Sequence, residues 1–189
     1  MDYTEIFGAV TGLLYVILEI KQRKMMWIVG GISALVYSLI FFESSLYAAM
    51  GLQLYFLFAS VYGWIAWSRQ SKTLEGSSLF IVPLSMKRAL YSFLVSILIF
   101  AVIWYVLKFH SNDPMPVTDS IIASLSILAT YWVSRKHIQH WIVWIVADIL
   151  AIYMYYSQEL YATTALYFIY IIAAVAGFFH WRKFPLVLN

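Results

Sequence analysis

The sequence predicts an all-α integral membrane protein with seven transmembrane helices, arranged as a parallel 3+1+3 repeat. Composition is the first observation: 63% of the 189 residues are hydrophobic and 11% are charged, whereas a soluble domain has about 45–50% apolar and about 25% charged residues. Seven apolar segments are the second observation. The third is that the first three segments recur, without an insertion, 114 residues later. The bilayer is therefore the expected solvent of most of the surface.

The first three segments form the first repeat. Each is close to the length of about 20 residues that a helix needs to cross about 30 Å of hydrocarbon. Segment 4–20 ends before the basic residue Lys21, and segment 25–42 ends before Glu43. Segment 46–67 follows after a connection of only three residues. Such a short connection predicts that the second and third helices are antiparallel neighbours.

The fourth segment, 88–108, has no counterpart at the 114-residue offset and is expected to be a linker helix. The longest polar stretch, 68–87, precedes it, and a proline-broken turn over 109–116 follows it. Segments 117–134, 139–156 and 160–181 then form the second repeat. The predicted units are a first repeat over 1–70, a linker over 71–116, a second repeat over 117–184 and a cytoplasmic tail over 185–189.

The repeat rests on residue pairs that keep one offset. Four spans separate equivalent helices, and because four is even, both copies point the same way across the membrane. Transporters are often built from such repeats, with the substrate site between them near the middle of the bilayer. The pairs are Trp27 with Trp141, Gly63 with Gly177, Trp67 with Trp181, and Lys21 with Arg135.

The positive charges predict the orientation, because Lys and Arg collect on the cytoplasmic side of membrane proteins. With the N-terminus outside and the C-terminus in the cytoplasm, eleven of the twelve Lys and Arg residues are cytoplasmic, and only Lys108 lies outside. This placement accounts for the net charge of +3 without a nucleic-acid partner. The cytoplasmic set is Lys21, Arg23, Lys24, Arg69, Lys72, Lys87, Arg88, Arg135, Lys136, Arg182 and Lys183.

The sixth segment carries the strongest candidate for a binding site. Trp141, Trp144 and Asp148 are spaced i, i+3 and i+7, which places them on one helical face. Asp148 is expected about 15 Å into the bilayer, where a carboxylate costs at least about 2.5–3.5 kcal/mol. A proton, a hydroxyl network or a cationic substrate must satisfy it, and indole faces attract flat cations. The alternative is interfacial Trp anchors with an aspartate bonded to a neighbouring helix.

Three further polar residues are candidates for the same pocket. Gln53 lies inside the third segment, where its amide must find a partner, either a substrate or a neighbouring helix. Tyr167 occupies the equivalent position in the seventh segment, so the two are expected to form facing walls. Tyr37 in the second segment completes the candidate set.

Several classes of function are disfavoured by residues that the sequence lacks. There is no cysteine, which excludes disulfides and thiolate metal sites. The chain has no metal-ligand motif, no glycine-rich phosphate loop and no nucleophile–base pair. We therefore expect neither an enzyme nor a bound cofactor.

The stretches 46–70, 160–183 and WIVWIVAD at 141–148 together resemble the PnuC-type vitamin transporters of bacteria, over essentially the whole chain. The resemblance implies a SWEET-like fold with inverted helix order, which forms trimers in the family. It also implies facilitated diffusion of an unphosphorylated vitamin across the bacterial inner membrane, with trapping by a cytoplasmic kinase. By the same resemblance, Trp141, Trp144 and Gln53 map onto the substrate pocket.

Two departures from the family pattern bear on the substrate. Members that carry nicotinamide riboside tend to have Asn where this chain has Asp148, and this chain is short. Both features favour the thiamine branch, because a fixed negative charge suits the thiazolium ring. Nicotinamide riboside is the alternative within the family, since its pyridinium is also a cation. A sugar carrier or a non-transporting membrane scaffold is the alternative from another class.

Overall fold

The computed structural model describes residues 3–43, 47–73, 81–82 and 84–183, and this part of the chain is all-α. The predicted all-α class is thereby confirmed, and most helix ends lie within two residues of their predicted positions. The predicted tail over 185–189 and most of the loop before α4 lie outside the described residues. The helices are α1 (Tyr3–Ile20), α2 (Met25–Glu43), α3 (Tyr47–Thr73), α4 (Met86–His110), α5 (Pro116–Ser134), α6 (His140–Ser157) and α7 (Tyr161–Lys183).

Six of these helices, α2 to α7, are long and apolar enough to cross a membrane. The apolar part of α1 covers only Ile6–Ile20, which at about 1.5 Å per residue is shorter than about 30 Å of hydrocarbon. Helix α3 continues past its predicted end at 67, because residues 68–73 include Arg, Gln and Lys, which favour helix, and contain neither Gly nor Pro. The seventh span therefore stays a prediction, while six are supported by length and composition.

In three connections the second residue after the helix is in the left-handed region: Gln22 (φ 53°), Lys136 (φ 61°) and Glu159 (φ 60°). After α1, the Arg23 N–H donates to the Leu18 carbonyl at 2.8 Å and the Gln22 N–H donates to the Glu19 carbonyl at 2.9 Å. The same pair of bonds recurs at the other two positions. This is the Schellman motif, which ends a helix by satisfying its last carbonyls and turns the chain sharply.

Each helix of a three-helix group packs on its neighbour in the chain, α1 on α2, α2 on α3, α5 on α6 and α6 on α7. Helix α4 packs on α5. Two further contacts join the groups, because α1 packs on α7 and α3 packs on α5. These two contacts place α1, α3, α5 and α7 at the centre of the molecule.

Four large indoles form the core at one end of the bundle, and we call them the tryptophan cluster: Trp27, Trp67, Trp141 and Trp181. Each is at most 2% exposed. The ring centroids of Trp27 and Trp67 lie 5.6 Å apart, and those of Trp141 and Trp181 lie 5.8 Å apart. Trp67 and Trp181 join the two pairs at 6.5 Å.

Two glycines admit two of these indoles. A Cβ atom on Gly63 of α3 would overlap the ring of Trp27, and one on Gly177 of α7 would overlap the ring of Trp141. Glycine is therefore required at both positions by close approach of a side chain, a common use of small residues between membrane helices.

Candidate functional site

A cavity of about 250 Å³ lies among the first three helices and is completed by α5 and α6. Its volume is just below the range of about 300–1,000 Å³ typical of small-molecule pockets. Most of its wall is apolar or aromatic, with a few hydroxyl and amide groups between. The lining residues are Gly8, Thr11, Gly12, Tyr15, Trp27, Gly30, Ser33, Ala34, Tyr37, Gln53, Phe56, Ser60, Thr130 and Trp144.

Three hydrogen-bonding side chains in this wall have no recorded partner within the described residues. The indole N–H groups of Trp27 and Trp144 are buried without an acceptor. Gln53 of α3 is half-buried, and the structure records no hydrogen bond for its amide. A buried donor without an acceptor costs about 1–3 kcal/mol. The wall therefore favours a ligand that brings acceptors to these groups while stacking on the aromatic faces.

Hydroxyl groups occupy the α1–α2 side of the cavity. The Thr11 and Ser33 hydroxyls are 3.2 Å apart, and the Tyr37 hydroxyl donates to the Thr4 carbonyl at 2.9 Å. These groups can also exchange hydrogen bonds with a ligand's hydroxyls, since each hydroxyl both donates and accepts.

Glycines on α1 let two tyrosines reach this wall. A Cβ atom on Gly8 would overlap the Tyr37 hydroxyl, and one on Gly12 would overlap the Tyr170 hydroxyl. Tyr37 comes from α2 and Tyr170 from α7, so α1 is held between the two helix groups by tyrosine hydroxyls. The role of these two glycines is therefore to admit tyrosine hydroxyls, which narrow the cavity, and not to bind phosphate.

Three of the six residues predicted for the site line the cavity: Trp144, Gln53 and Tyr37. The other three, Trp141, Asp148 and Tyr167, do not. Trp141 belongs to the tryptophan cluster and is 1% exposed. Its position in the cavity wall is taken by Trp27, which lies 114 residues earlier in the chain.

Asp148 lies close behind the wall and is 5% exposed. It interacts electrostatically with Tyr167 and Tyr170. The rings of Tyr167 and Tyr170 are 5.5 Å apart, and the Tyr170 hydroxyl reaches Gly12 in the lining. The interaction with Tyr170 thus links Asp148 to the cavity lining, and Tyr167 packs on Tyr170.

Sequence reasoning missed Trp27, Thr11 and Tyr15 as lining residues. The signal for Trp27 was its alignment with Trp141, which made either copy a candidate. The signal for α1 was the spacing of Gly8, Thr11, Gly12 and Tyr15, which lie on one face of a helix. Small and polar residues on one face of a membrane helix indicate contact with protein or with a cavity rather than with lipid.

The cavity ends at the tryptophan cluster, because Trp27 belongs to both. Lys136 lies inside this cluster and is fully buried. Its Nζ donates to Gln22 Oε1 at 2.8 Å and lies 3.6 Å over the Trp67 ring and 4.8 Å over the Trp181 ring. Burial lowers the pKa of Lys136 well below its usual value, against the opposing effect of Glu19. The buried amino group of Lys136 thus connects the two helix groups through a hydrogen bond and two contacts with indole faces.

A second buried pair lies beside this lysine. His140 Nε2 is 2.9 Å from Glu19 Oε1, and both side chains are at most 2% exposed. His140 Nδ1 is 2.7 Å from the His137 carbonyl, which only accepts, so Nδ1 carries a proton. Glu19 and His140 join α1 to α6, and with Lys136 they close this end of the bundle.

Comparisons with known proteins agree with a membrane carrier. A sequence profile of the nicotinamide mononucleotide transporter family matches residues 2–183. The nicotinamide riboside transporter PnuC of Escherichia coli K12 is 26% identical over 96% of this chain and 85% of its own length. The protein of the same name from Neisseria mucosa is 23% identical over 93% of this chain and 70% of its own. The crystal structure of the vitamin B3 transporter PnuC has the same fold, with a TM-score of 0.77 at 22% identity, over 99% of this chain and 83% of that one.

Proposed function

The chain belongs to the nicotinamide mononucleotide transporter family, and we propose that it carries nicotinamide riboside by facilitated diffusion across the bacterial inner membrane. The family match and the curated relatives, which are named as nicotinamide riboside transporters, support this substrate over thiamine. A cytoplasmic kinase that phosphorylates the vitamin would trap it, so uptake needs no coupled ion. The proposal is a transport function without catalysis.

The observation that carries the proposal is the set of unpartnered donors in the cavity wall. Nicotinamide riboside offers a flat ring for Trp27 and Trp144, and a carboxamide for Gln53. Its ribose hydroxyls match the hydroxyls of Thr11 and Ser33. A ring cation also suits the electron-rich faces of indoles.

Thiamine remains the second candidate because of Asp148. A carboxylate near the cavity favours any cationic ring, and thiazolium is one. Asp148 lies behind Tyr170 rather than in the wall, so its charge acts at a distance on either vitamin. None of the curated relatives reported above is named for thiamine, and we therefore rank thiamine second.

For the architecture, we propose two parallel three-helix repeats, 1–70 and 117–184, joined by α4, with the N-terminus outside and the C-terminus in the cytoplasm. Equivalent features at the 114-residue offset support the repeat. Gln22 and Lys136 share a left-handed backbone, and Gly63 and Gly177 each admit an indole. The same offset places α1 on α5 and α3 on α7. It therefore converts the α1–α7 contact into the α5–α3 contact, and both contacts are present.

For the mechanism, we propose that the two repeats rock about the cavity. The Lys136 and Glu19–His140 contacts hold the cytoplasmic end closed. Substrate enters from outside, stacks between the indoles and satisfies their N–H groups, and release requires the cluster to separate. The empty carrier then returns to the closed state.

Isothermal titration of the purified protein in detergent tests the substrate. We expect saturable binding of nicotinamide riboside and weaker binding of thiamine. Trp144→Phe keeps the ring but removes the N–H group, and we expect a loss of affinity of about three- to tenfold. Trp104→Phe on α4, outside the cavity lining, is the matched control and should bind as the parent does.

Uptake into proteoliposomes tests the mechanism. Labelled nicotinamide riboside should reach the same concentration inside and outside, and a proton gradient should not change that end point. Saturable thiamine binding without nicotinamide riboside binding would reverse the ranking of the two vitamins. Accumulation above equal concentrations would overturn facilitated diffusion.

A further inference from the structure

A second cavity, of about 430 Å³, lies at the level of the α5–α6 connection and is separate from the vitamin site. It is formed where the end of α3, the start of α4 and the end of α5 converge, with Val82 and the loop after α5 completing the wall. The lining residues are Tyr62, Ala66, Val82, Arg88, Tyr131, Ser134, Arg135 and His137. No residue of the first cavity is shared with it.

The charge of this cavity is positive and uncompensated within its wall. Arg88 and Arg135 both line it, and none of the described lining residues is acidic. Among the described residues, the ion pair recorded is that of Glu19 with His140, so no described carboxylate lies within 4.0 Å of either guanidinium. The first turn of α4, which bears Arg88, also lacks an acidic residue. Two exposed arginines that line one cavity, without a described counter-charge, indicate an anion as the partner.

The guanidinium of Arg135 is positioned by two aromatic rings. Its central carbon lies 5.5 Å from the Tyr62 ring centroid and 5.7 Å from the Tyr131 ring centroid. Cation–π contacts occupy the faces of the planar group and leave its N–H edge free to donate. A guanidinium held in this way loses less rotamer entropy when it binds an anion.

The floor of the cavity is fixed by hydrogen bonds. His137 Nδ1 donates to the Val82 carbonyl at 2.8 Å, and the Val82 N–H donates to the Lys136 carbonyl at 3.0 Å. Burial lowers the pKa of His137, and the positive charges of Arg88, Arg135 and His140 lower it further, against the effect of the Val82 carbonyl. The neighbouring histidine therefore senses the same positive potential.

We propose that this cavity binds a phosphoryl group, with Arg88 and Arg135 donating to its oxygens. The group can come from a phosphorylated small molecule or from an anionic lipid headgroup. On the proposed orientation and function, the cavity faces the compartment in which the vitamin is phosphorylated. It is therefore placed to sense the trapped product without occupying the transport site.

Titration of the full-length protein in detergent with ribose 5-phosphate tests the site, and ribose is the uncharged comparison. We expect saturable binding of ribose 5-phosphate alone. Arg135→Gln and Arg88→Gln should each weaken it by about tenfold or more, since a charge-assisted hydrogen bond contributes about 1.5–3 kcal/mol. Lys87→Gln changes the charge equally on the neighbouring, exposed residue outside the lining, and should alter the affinity by less than twofold.

The lipid source is tested in nanodiscs of phosphatidylcholine with and without phosphatidylglycerol. If phosphatidylglycerol competes with ribose 5-phosphate in the parent and not in Arg135→Gln, the headgroup is a ligand; without competition, the small phosphate is. No saturable binding of either anion, or an equal loss in Lys87→Gln, would overturn the site. Nicotinamide riboside binding is measured on the same samples, and its absence beside intact phosphate binding would overturn the proposed function alone.

Discussion

At the scale of single residues, we infer that a carboxylate at Asp148 attracts a cationic ligand from behind the cavity wall. We expect Asp148→Asn to weaken binding of cationic nicotinamide riboside by up to about tenfold, about 1.4 kcal/mol of lost attraction. Binding of neutral nicotinamide, which has the same carboxamide, should change by less than twofold. Titration of both ligands against both proteins measures the difference. An equal loss for the two ligands would show that the substitution disturbs the packing and not the charge.

Two glycines are required by the indoles that pack on them. We expect Gly63→Ala and Gly177→Ala each to destabilise the protein by about 1–3 kcal/mol, because the added methyl group overpacks a rigid ring. Gly51→Ala is the matched control, since a Cβ atom there meets nothing within 4 Å. The midpoint of thermal unfolding in detergent should fall for the first two variants and not for the third. Three equal midpoints would contradict the close approach of the indoles.

The sequence identified Trp144, Gln53 and Tyr37 because a polar or indole group inside an apolar helix needs a partner. It named Trp141 and not Trp27, although the same three residues, Trp-Ile-Val, begin at both positions. In the structure both indoles pack on a glycine and on a second indole, Trp27 on Gly63 and Trp67, and Trp141 on Gly177 and Trp181. Of the two, Trp27 lines the described cavity.

At the scale of elements, the left-handed residues Lys136 and Glu159 have the same backbone geometry but differ in their side-chain contacts. Glu159 is exposed and its backbone strain costs about 1–2 kcal/mol. We expect Glu159→Gly to stabilise the protein by up to about 1 kcal/mol, because glycine removes most of this strain at some cost in unfolded-state entropy. Lys136→Gly has the same backbone benefit but loses the Gln22 bond and the two indole contacts, so it should destabilise.

The unfolding midpoints of the two variants measure this contrast. We expect a higher midpoint for Glu159→Gly and a lower one for Lys136→Gly. This result would show that the buried contacts of Lys136 stabilise the protein by more than its left-handed backbone destabilises it. Two higher midpoints would mean that the lysine contributes nothing to closure of the bundle end.

Helix boundaries were predictable where charged residues end an apolar segment, as at Lys21 and Glu43. The predicted span ends at 67, two residues from the end of the candidate span at Arg69, while the helix continues to Thr73 through polar residues that also favour helix. Hydropathy detects the membrane boundary of such a helix and not its last hydrogen bond. The burial of Lys136 was equally invisible, because a lysine beside a predicted helix end normally lies in water.

At the scale of the whole molecule, the proposed repeats differ in how they fill their interiors. The cavity-lining residues Gly30, Ala34 and Gln53 correspond at the 114-residue offset to Trp144, Asp148 and Tyr167. The second group has the larger side chain at these three positions and the smaller one at others, where Ala129 corresponds to Tyr15 and Ala151 to Tyr37. The described cavity is lined mainly by the first group, with Thr130 and Trp144 from the second.

Orientation can be tested directly, because the chain has no cysteine and any introduced thiol is unique. With the N-terminus outside, Asn112→Cys after α4 and Ser157→Cys after α6 should react with a membrane-impermeant maleimide on intact cells. Lys21→Cys and Arg182→Cys should react only after permeabilisation. All four positions are exposed. The opposite pattern would mean that the orientation is inverted and that the arginine-lined cavity lies outside. Labelling of Lys21→Cys and Asn112→Cys from the same side would mean that the number of spans between them is even, against the three predicted.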